Sequence, residues 1–194
     1  MDDFEITWYM QELSMHSLGV EHEFMNMLQV ASNPETRQQR LVWFHLTSCL
    51  AHAAMMSKYL SPVRPQGVSR ERKRTLRRLL EVADDSEILS RAARDNIEHF
   101  DERVDNWVGK DCGGILEVVL PNRRGYEFLD GNNKRIKRVL LSEELIFITE
   151  NRDGSKLEIP LEPVVGEAKR IGSRAGDWIQ DNSPYHFIYP GQQC

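Results

Sequence analysis

Residues 41–60 read LVWFHLTSCLAHAAMMSKYL, a stretch whose apolar residues would cover most of the circumference of a helix. A helix that is apolar nearly all round must be buried by its neighbours. We therefore expect a helix over about 35–60 at the centre of the fold. Asn33-Pro34 can start it, because Asn caps helices and proline is tolerated at the first helical position. Its apolar residues are Leu41, Val42, Phe44, Leu46, Leu50, Ala53, Ala54, Met55, Met56 and Tyr59.

Further helices are predicted on both sides of this segment. Apolar residues recur every three or four positions over about 4–28, which indicates a helix with a loose apolar stripe. A short basic helix is predicted over about 69–82. A fourth helix is predicted over about 84–108, where Asp84 and Glu87 have the spacing of a capping box. The stripe of the first helix consists of Met10, Leu13, Leu18, Phe24, Met25 and Leu28.

The signals change from helices to strands after about residue 112. The turn sequence Asn151-Arg152-Asp153-Gly154 is typical of a β-hairpin, and an amphipathic helix is predicted after it over about 163–180. We therefore predict a mainly α protein: an up-and-down helical bundle (1–112), a β-hairpin or small antiparallel sheet (113–162), a closing C-terminal helix on the bundle (163–182) and a tail (183–194). The predicted strands cover 115–120, 126–129, 135–141, 145–149 and 156–159.

The composition is that of a globular domain. The chain has 194 residues, of which 40% are hydrophobic and 28% charged, and its formal net charge is −5. A negative net charge argues against a protein that coats nucleic acid by bulk electrostatics. The acidic start is unlike a signal peptide, and no apolar stretch reaches the roughly 20 residues of a membrane span. Three widely spaced cysteines do not form a disulfide framework, so we expect a cytoplasmic protein without membrane contact.

The strongest candidate for chemistry is the segment RDNIEH at 94–99. Arginine holds phosphate by bidentate contacts, and histidine can move a proton from a ribose 2′-hydroxyl near neutral pH. Five helical steps separate their side chains by roughly 140°, so Arg94 and His99 cannot meet on one straight helix. Convergence would need either a distorted helix or a second copy, whose helix across a two-fold axis would bring both residues into one cleft. The segment therefore predicts a homodimer with a composite site.

Residues 94–105, RDNIEHFDERVD, resemble the signature of HEPN domains, in which an arginine, a polar residue and a histidine lie on a late helix of a helical bundle. The resemblance covers about residues 1–110. It implies a homodimer and, in many members, a metal-independent endoribonuclease that acts as a toxin or defence effector, with an antitoxin or another protein as partner. Arg94 and His99 would be the catalytic pair, and Asp95 the polar residue that orients them. Other members only mediate assembly, so a non-catalytic homodimeric interaction module is the alternative.

Basic residues cluster before this helix. Between Arg64 and Arg78 there are seven Lys or Arg residues and a single acid, Glu71. Nucleic-acid-binding proteins use such residues to hold phosphates, so the cluster is a predicted RNA-binding surface. A solvated helix face is the alternative. The candidate residues are Arg70, Arg72, Lys73, Arg74, Arg77 and Arg78.

A further group, His45, Cys49 and His52, has the spacing i, i+4, i+7 and would lie on one side of the central helix. Imidazole and thiolate are zinc ligands, which makes a helical metalloprotein a third alternative. Because that helix is apolar nearly all round, we expect core histidines and a buried thiol instead. The chain contains no glycine-rich phosphate loop, serine nucleophile elbow or CxxC pattern. No metal or other cofactor is expected.

Overall fold

The computed structural model describes residues 1–32, 38–110, 116–130, 136–151 and 153–183. It confirms a mainly α fold with a small sheet and a C-terminal helix, while the predicted Asn33-Pro34 boundary lies outside the described residues. The helices are α1 (Asp3–Ala31), α2 (Gln39–Leu60), α3 (Gly67–Leu79), α4 (Arg91–Glu98), α5 (Phe100–Lys110), α6 (Arg123–Asp130) and α7 (Leu161–Asn182), with a turn of 3-10 helix at Glu87–Leu89. The strands are β1 (Leu116–Leu120), β2 (Ile136–Leu141), β3 (Ile146–Glu150) and β4 (Lys156–Pro160).

The three longest helices, α1, α2 and α7, form the centre of the bundle. α1 lies between the other two, because Glu23 of α1 contacts His45 of α2 and Glu21 of α1 pairs with Lys169 of α7. α2 also contacts α3, α4 and α7, as its predicted central position requires. Leu41 and Phe44 are exceptions to the expected burial of α2, since they are 40% and 60% exposed.

The predicted continuous helix over 84–108 is wrong, because the chain forms a 3-10 turn, α4 and α5 there instead. The hydroxyl of Ser90 accepts a hydrogen bond from the N–H of Ala93 at 3.3 Å and so starts α4. Asp84, the predicted cap, instead forms an ion pair with Arg77 at 2.7 Å. Local capping by Ser90 therefore divides a stretch whose apolar period alone suggested one helix.

The strands form one sheet in the order β1-β2-β3-β4. β2, β3 and β4 pair antiparallel, whereas β1 pairs with β2 in parallel, so the sheet is mixed and not antiparallel throughout. Parallel neighbours need a crossover connection, and α6 supplies it. The predicted strand at 126–129 is therefore wrong. Tyr126 and Leu129 pack against Ile136 from one face of α6, whereas Phe128 lies on the other side of the helix and is 76% exposed.

The hairpin predicted from the turn after Glu150 is confirmed between β3 and β4. The N–H of Asn151 donates to the carbonyl of Ser155 at 2.8 Å, and the N–H of Gly154 donates to the carbonyl of Asn151 at 3.0 Å. Gly154 has a φ of 85°, a conformation that glycine adopts without steric cost. The turn sequence thus determines where the two strands reverse.

One apolar core joins the sheet to the helices. Phe147 of β3 is buried and contacts Trp43 of α2, with ring centroids 6.2 Å apart. α7 closes this core along α1, as predicted for the C-terminal helix. Among the helices described, none combines the length and the apolar composition that crossing a membrane requires. The sheet residues in the shared core are Val119, Leu140, Phe147 and Ile159.

Candidate functional site

α4 ends at Glu98, and the residue that follows it is His99, which was predicted to transfer a proton. The backbone leaves the helix there with φ −115° and ψ 35°, and α5 begins at the next residue. The guanidinium of Arg103 donates to the carbonyl of His99 at 2.8 Å and to that of Asp95 at 3.3 Å. These bonds satisfy carbonyl groups at the helix end. The candidate segment is therefore the last turn of a short helix and not the middle of a long one.

Arg94 lies in the interior of the chain. Its side chain is 3% exposed, and its Nη1 donates to the carbonyl of Ser61 at 3.1 Å, just beyond the end of α2. Its Nε lies 3.6 Å from Oδ1 of Asp95. Arg94 also borders a cavity of about 20 Å³, together with the buried hydroxyl of Ser57. That volume holds about one water molecule and leaves no room for a phosphate group.

His99 lies on the surface. Its side chain is 56% exposed, and its Nδ1 is 3.3 Å from Oε1 of Glu102. Asp95 is also exposed, and its carboxylate approaches Arg94. The structure thus brings Arg94 and Asp95 together and leaves His99 beside Glu102. Within one chain, the two predicted catalytic side chains face different surroundings, one the protein interior and the other solvent.

A polar cluster beneath this segment was not predicted from the sequence. Asn96 is fully buried, and its Nδ2 donates to the carbonyl of Glu150 at 2.9 Å. Nε of Arg103 donates to the same carbonyl at 3.0 Å. Trp107 Nε1 and Lys137 Nζ reach the Glu150 carboxylate at 3.0 Å and 3.2 Å. These hydrogen bonds hold α4 and α5 against the end of β3.

The spacing of three of these residues is a signal that could have been used. Asn96, Arg103 and Trp107 are seven and then four residues apart, which places them on one face of a helical stretch. The identity of their partner could not be read in the same way, because Glu150 follows Asn96 by 54 positions. Asn96 and Glu150 come together only when the chain folds.

Two of the basic residues predicted to bind nucleic acid are used within the chain. Nε of Arg72 donates to the carbonyl of Tyr59 at 3.2 Å, and its guanidinium lies over the ring of Tyr9 at 5.4 Å. Arg77 is paired with Asp84, as described above. Both guanidinium groups stabilise the junctions of α3 with its neighbours and are poorly placed to hold phosphate.

The other four candidates of α3 remain on or near the surface. Arg70, Arg74 and Arg78 are exposed, and their spacing of four residues forms a row with about 6 Å between neighbours along the helix axis. Lys73 is partly buried. None of these four side chains forms an ion pair with a carboxylate among the described residues. This row is the part of the predicted nucleic-acid surface that a phosphate could reach.

His45, Cys49 and His52 lie on one side of α2, but their side chains have different environments. His45 Nδ1 is 2.7 Å from Glu23 Oε2, and His52 Nδ1 is 2.9 Å from His16 Nδ1. Burial raises the pKa of the Cys49 thiol to about 12, so it is not a thiolate at neutral pH. In the part of the chain that the structure describes, no three His, Cys, Asp or Glu residues are arranged to hold a metal ion.

α1 carries a second apolar face that is exposed. Five large apolar residues on it are 44% to 66% exposed, and successive members are 4, 7, 3 and 7 positions apart. At about 100° per residue they fall within an arc of about 100°, on the side of α1 opposite its buried face. We call this face the α1 seam. Its residues are Phe4, Trp8, Met15, Leu18 and Met25.

The apolar stripe predicted for the first helix mixed these two faces. Met10, Leu13 and Phe24 are buried, as expected for a core stripe. Leu18 and Met25 belong to the α1 seam, and they are exposed instead. Two apolar stripes on opposite faces of a helix also produce an apolar residue every three or four positions. The pattern alone therefore did not separate the residues of the core from those of the surface.

Comparisons with protein-family models, with curated proteins and with solved structures found no match to this chain.

Proposed function

We propose that this protein is a non-catalytic helical interaction module that binds a partner protein through the α1 seam. The observation that carries the proposal is the seam itself. Large apolar side chains exposed together on a globular protein mark an interaction surface. The seam spacings of 4, 7, 3 and 7 residues fit a heptad in which Gln11 and His22 occupy two of the positions, and such a face is the surface by which one helix packs along another.

The surroundings of Arg94 support a non-catalytic role. In the ribonuclease that the HEPN resemblance implies, this arginine has to hold a phosphate group. Here its guanidinium donates to the carbonyl of Ser61, and the cavity beside it has the volume of about one water molecule. Withdrawing Arg94 from the interior would leave the partly buried Ser61 carbonyl without this donor, which is unfavourable.

Site-specific crosslinking in the cells that make the protein tests the proposal. A photoreactive phenylalanine analogue replaces Met15 or Leu18 in the seam, one at a time, or Asp177 on an exposed position of α7 as the control. We expect a discrete protein adduct from position 18 that is absent from position 177. The adduct should disappear when Trp8 and Met25 are both changed to Glu. If positions 15 and 18 both give no adduct, the proposal is rejected.

The second candidate is the metal-independent endoribonuclease, and the exposure of His99 beside Glu102 favours it. Its test is incubation of the purified protein with a panel of single-stranded RNAs in EDTA. We expect the RNA to remain intact. Cleavage that is lost in His99→Ala and retained in the control His22→Ala would establish the ribonuclease and overturn the non-catalytic proposal.

A further inference from the structure

We infer that the occupant of the α1 seam is a basic amphipathic helix of a partner protein. This inference rests on the proposed function and adds the chemical class of the partner. Three observations support it: the charges along the edges of the seam, the other occupants that these charges would repel, and the length of the seam.

The edges of the seam are acidic on both sides. α1 contains no Lys or Arg. Relative to the middle of the seam, two acids lie about 90° away on one side and three lie about 100° away on the other. A helix packed along the seam would place its own flanking residues opposite these acids. The acids are Asp3 and Glu21 on the first side and Glu5, Glu12 and Glu23 on the second.

Contacts within the chain only partly neutralise these edges. Lys169 Nζ lies 3.2 Å from Glu21, and His45 Nδ1 lies 2.7 Å from Glu23. The N-terminal amine lies 4.0 Å from Glu5, and His16, whose pKa is lowered by burial, has its Nε2 3.8 Å from Glu12. Acids remain in excess along both edges, so a partner with Lys or Arg beside its apolar face is complementary, and an acidic partner is repelled.

The same charges argue against a second copy of α1. Two α1 seams packed together would set acidic edges against acidic edges in both the parallel and the antiparallel orientation. The basic helix α3 of a second copy does not fit either, since its exposed row of Arg70, Arg74 and Arg78 is charged where the seam requires apolar groups. An anionic membrane surface would be repelled in the same way.

The length of the seam sets the size of the partner helix. From Phe4 to Met25 the seam extends over 21 helical steps, or about 31 Å at 1.5 Å per residue. A partner that covers it needs a helix of about six turns, with apolar residues at two positions per heptad and Lys or Arg at the positions beside them.

Two peptides of matched length test the inference on the full chain. Both carry Leu at the two core positions of each heptad, and they differ only in having Lys or Glu at the flanking positions. Fluorescence anisotropy measures their binding at low and high salt. We expect the Lys peptide to bind at least about tenfold more tightly than the Glu peptide, with a preference that shrinks as salt screens the charges.

Variants of the chain separate the apolar from the electrostatic contribution. Leu18→Glu should abolish binding of the Lys peptide while the far-ultraviolet circular dichroism stays that of the wild type. The double variant Asp3→Asn, Glu21→Gln should weaken binding severalfold. The matched control Asp177→Asn, Asp181→Asn removes the same number of charges from exposed positions of α7 and should leave the affinity unchanged.

Each contrary result has a distinct meaning. Equal affinity for the two peptides overturns the inference and leaves the proposed interaction surface standing. If neither peptide binds and sedimentation finds a dimer that Leu18→Glu dissociates, the occupant is a second copy and the inference is overturned. If neither peptide binds a monomeric chain, the inference is also overturned, and the crosslinking from position 18 decides the proposed function separately.

Discussion

Arg94 joins α4 to the end of α2, and its replacement should destabilise the chain. In Arg94→Ala the Ser61 carbonyl loses its donor, and the space left behind adjoins the cavity beside Ser57. We expect the free energy of unfolding to fall by about 2–4 kcal/mol. His99→Ala, at an exposed side chain, should change it by less than about 0.5 kcal/mol. Urea denaturation measures both variants, and equal stability of the two would contradict the structural role of Arg94.

His16 and His52 make the interface between α1 and α2 sensitive to pH. Their Nδ1 atoms are 2.9 Å apart, so one ring donates and the other accepts. Burial and the neighbouring His52 lower the pKa of His16 below that of a free imidazole. As the pH falls below about 6.5, His16 therefore binds a proton more readily in the unfolded chain than in the folded one, and the free energy of unfolding decreases.

Thermal unfolding between pH 7 and pH 5 tests this dependence. The wild type should lose more of its Tm over this interval than His16→Gln, which retains a hydrogen-bonding side chain but does not titrate. His22→Gln removes a histidine that lies on the surface and bonds to Asn26, and it serves as the control. Identical slopes for the wild type and His16→Gln would exclude a contribution of the pair to acid sensitivity.

The sequence identified Arg94 and His99 as candidates. It also predicted that their side chains point in different directions, since the angle between two positions follows from helical geometry once a helix is assumed. It could not place Arg94 in the interior, because arginine is usually exposed and the acceptor on Ser61 lies 33 positions earlier. The same limit applies to Asn96 and Glu150. Local patterns report which way a side chain points on its own element, and the element that meets it is decided by the whole fold.

The helices α1 and α6 illustrate how periodicity alone can mislead. α1 has apolar residues on two nearly opposite faces, and one stripe was assigned where there are two. α6 was predicted in part as a strand, although Tyr126 and Leu129 pack against the sheet from one face of a short helix and Phe128 is exposed. In both cases the deciding information was which surface the rest of the chain covers, and only tertiary packing supplies it.

Gly172 allows α7 to approach α1 closely. A Cβ at this position would collide with the side chain of Ser17, so Gly172→Ala should cost about 1–3 kcal/mol of stability. Gly166→Ala and Gly176→Ala are matched controls on the same helix, with open space where the methyl group would lie. They should gain roughly 0.5–1 kcal/mol, because alanine favours a helix. Thermal denaturation compares the three, and a stable Gly172→Ala variant would mean that the two helices can move apart.

Across the whole molecule, local patterns predicted a helical first part, a strand-rich second part and a closing helix, but not the helix α6 between β1 and β2. The parallel pairing of β1 with β2 was not predicted, since it requires the crossover through α6. The sequence also did not predict that the sheet and the helical bundle share one core. Phe147, Ile159 and the cluster around Glu150 join sheet to helices over long sequence separations.

This shared core predicts that helices and sheet unfold together. Phe147→Ala removes a buried ring from β3 that contacts Trp43 of α2, and it should cost about 3–5 kcal/mol. Far-ultraviolet circular dichroism, which reports mainly on the helices, and the NMR signals of the β3 amides should give the same lower denaturant midpoint. Phe128→Ala, at a side chain that is 76% exposed, is the control and should leave both midpoints unchanged. An independently folding sheet would behave differently: Phe147→Ala would then displace the transition of the β3 amides alone, because the helical signal would no longer depend on a side chain of β3.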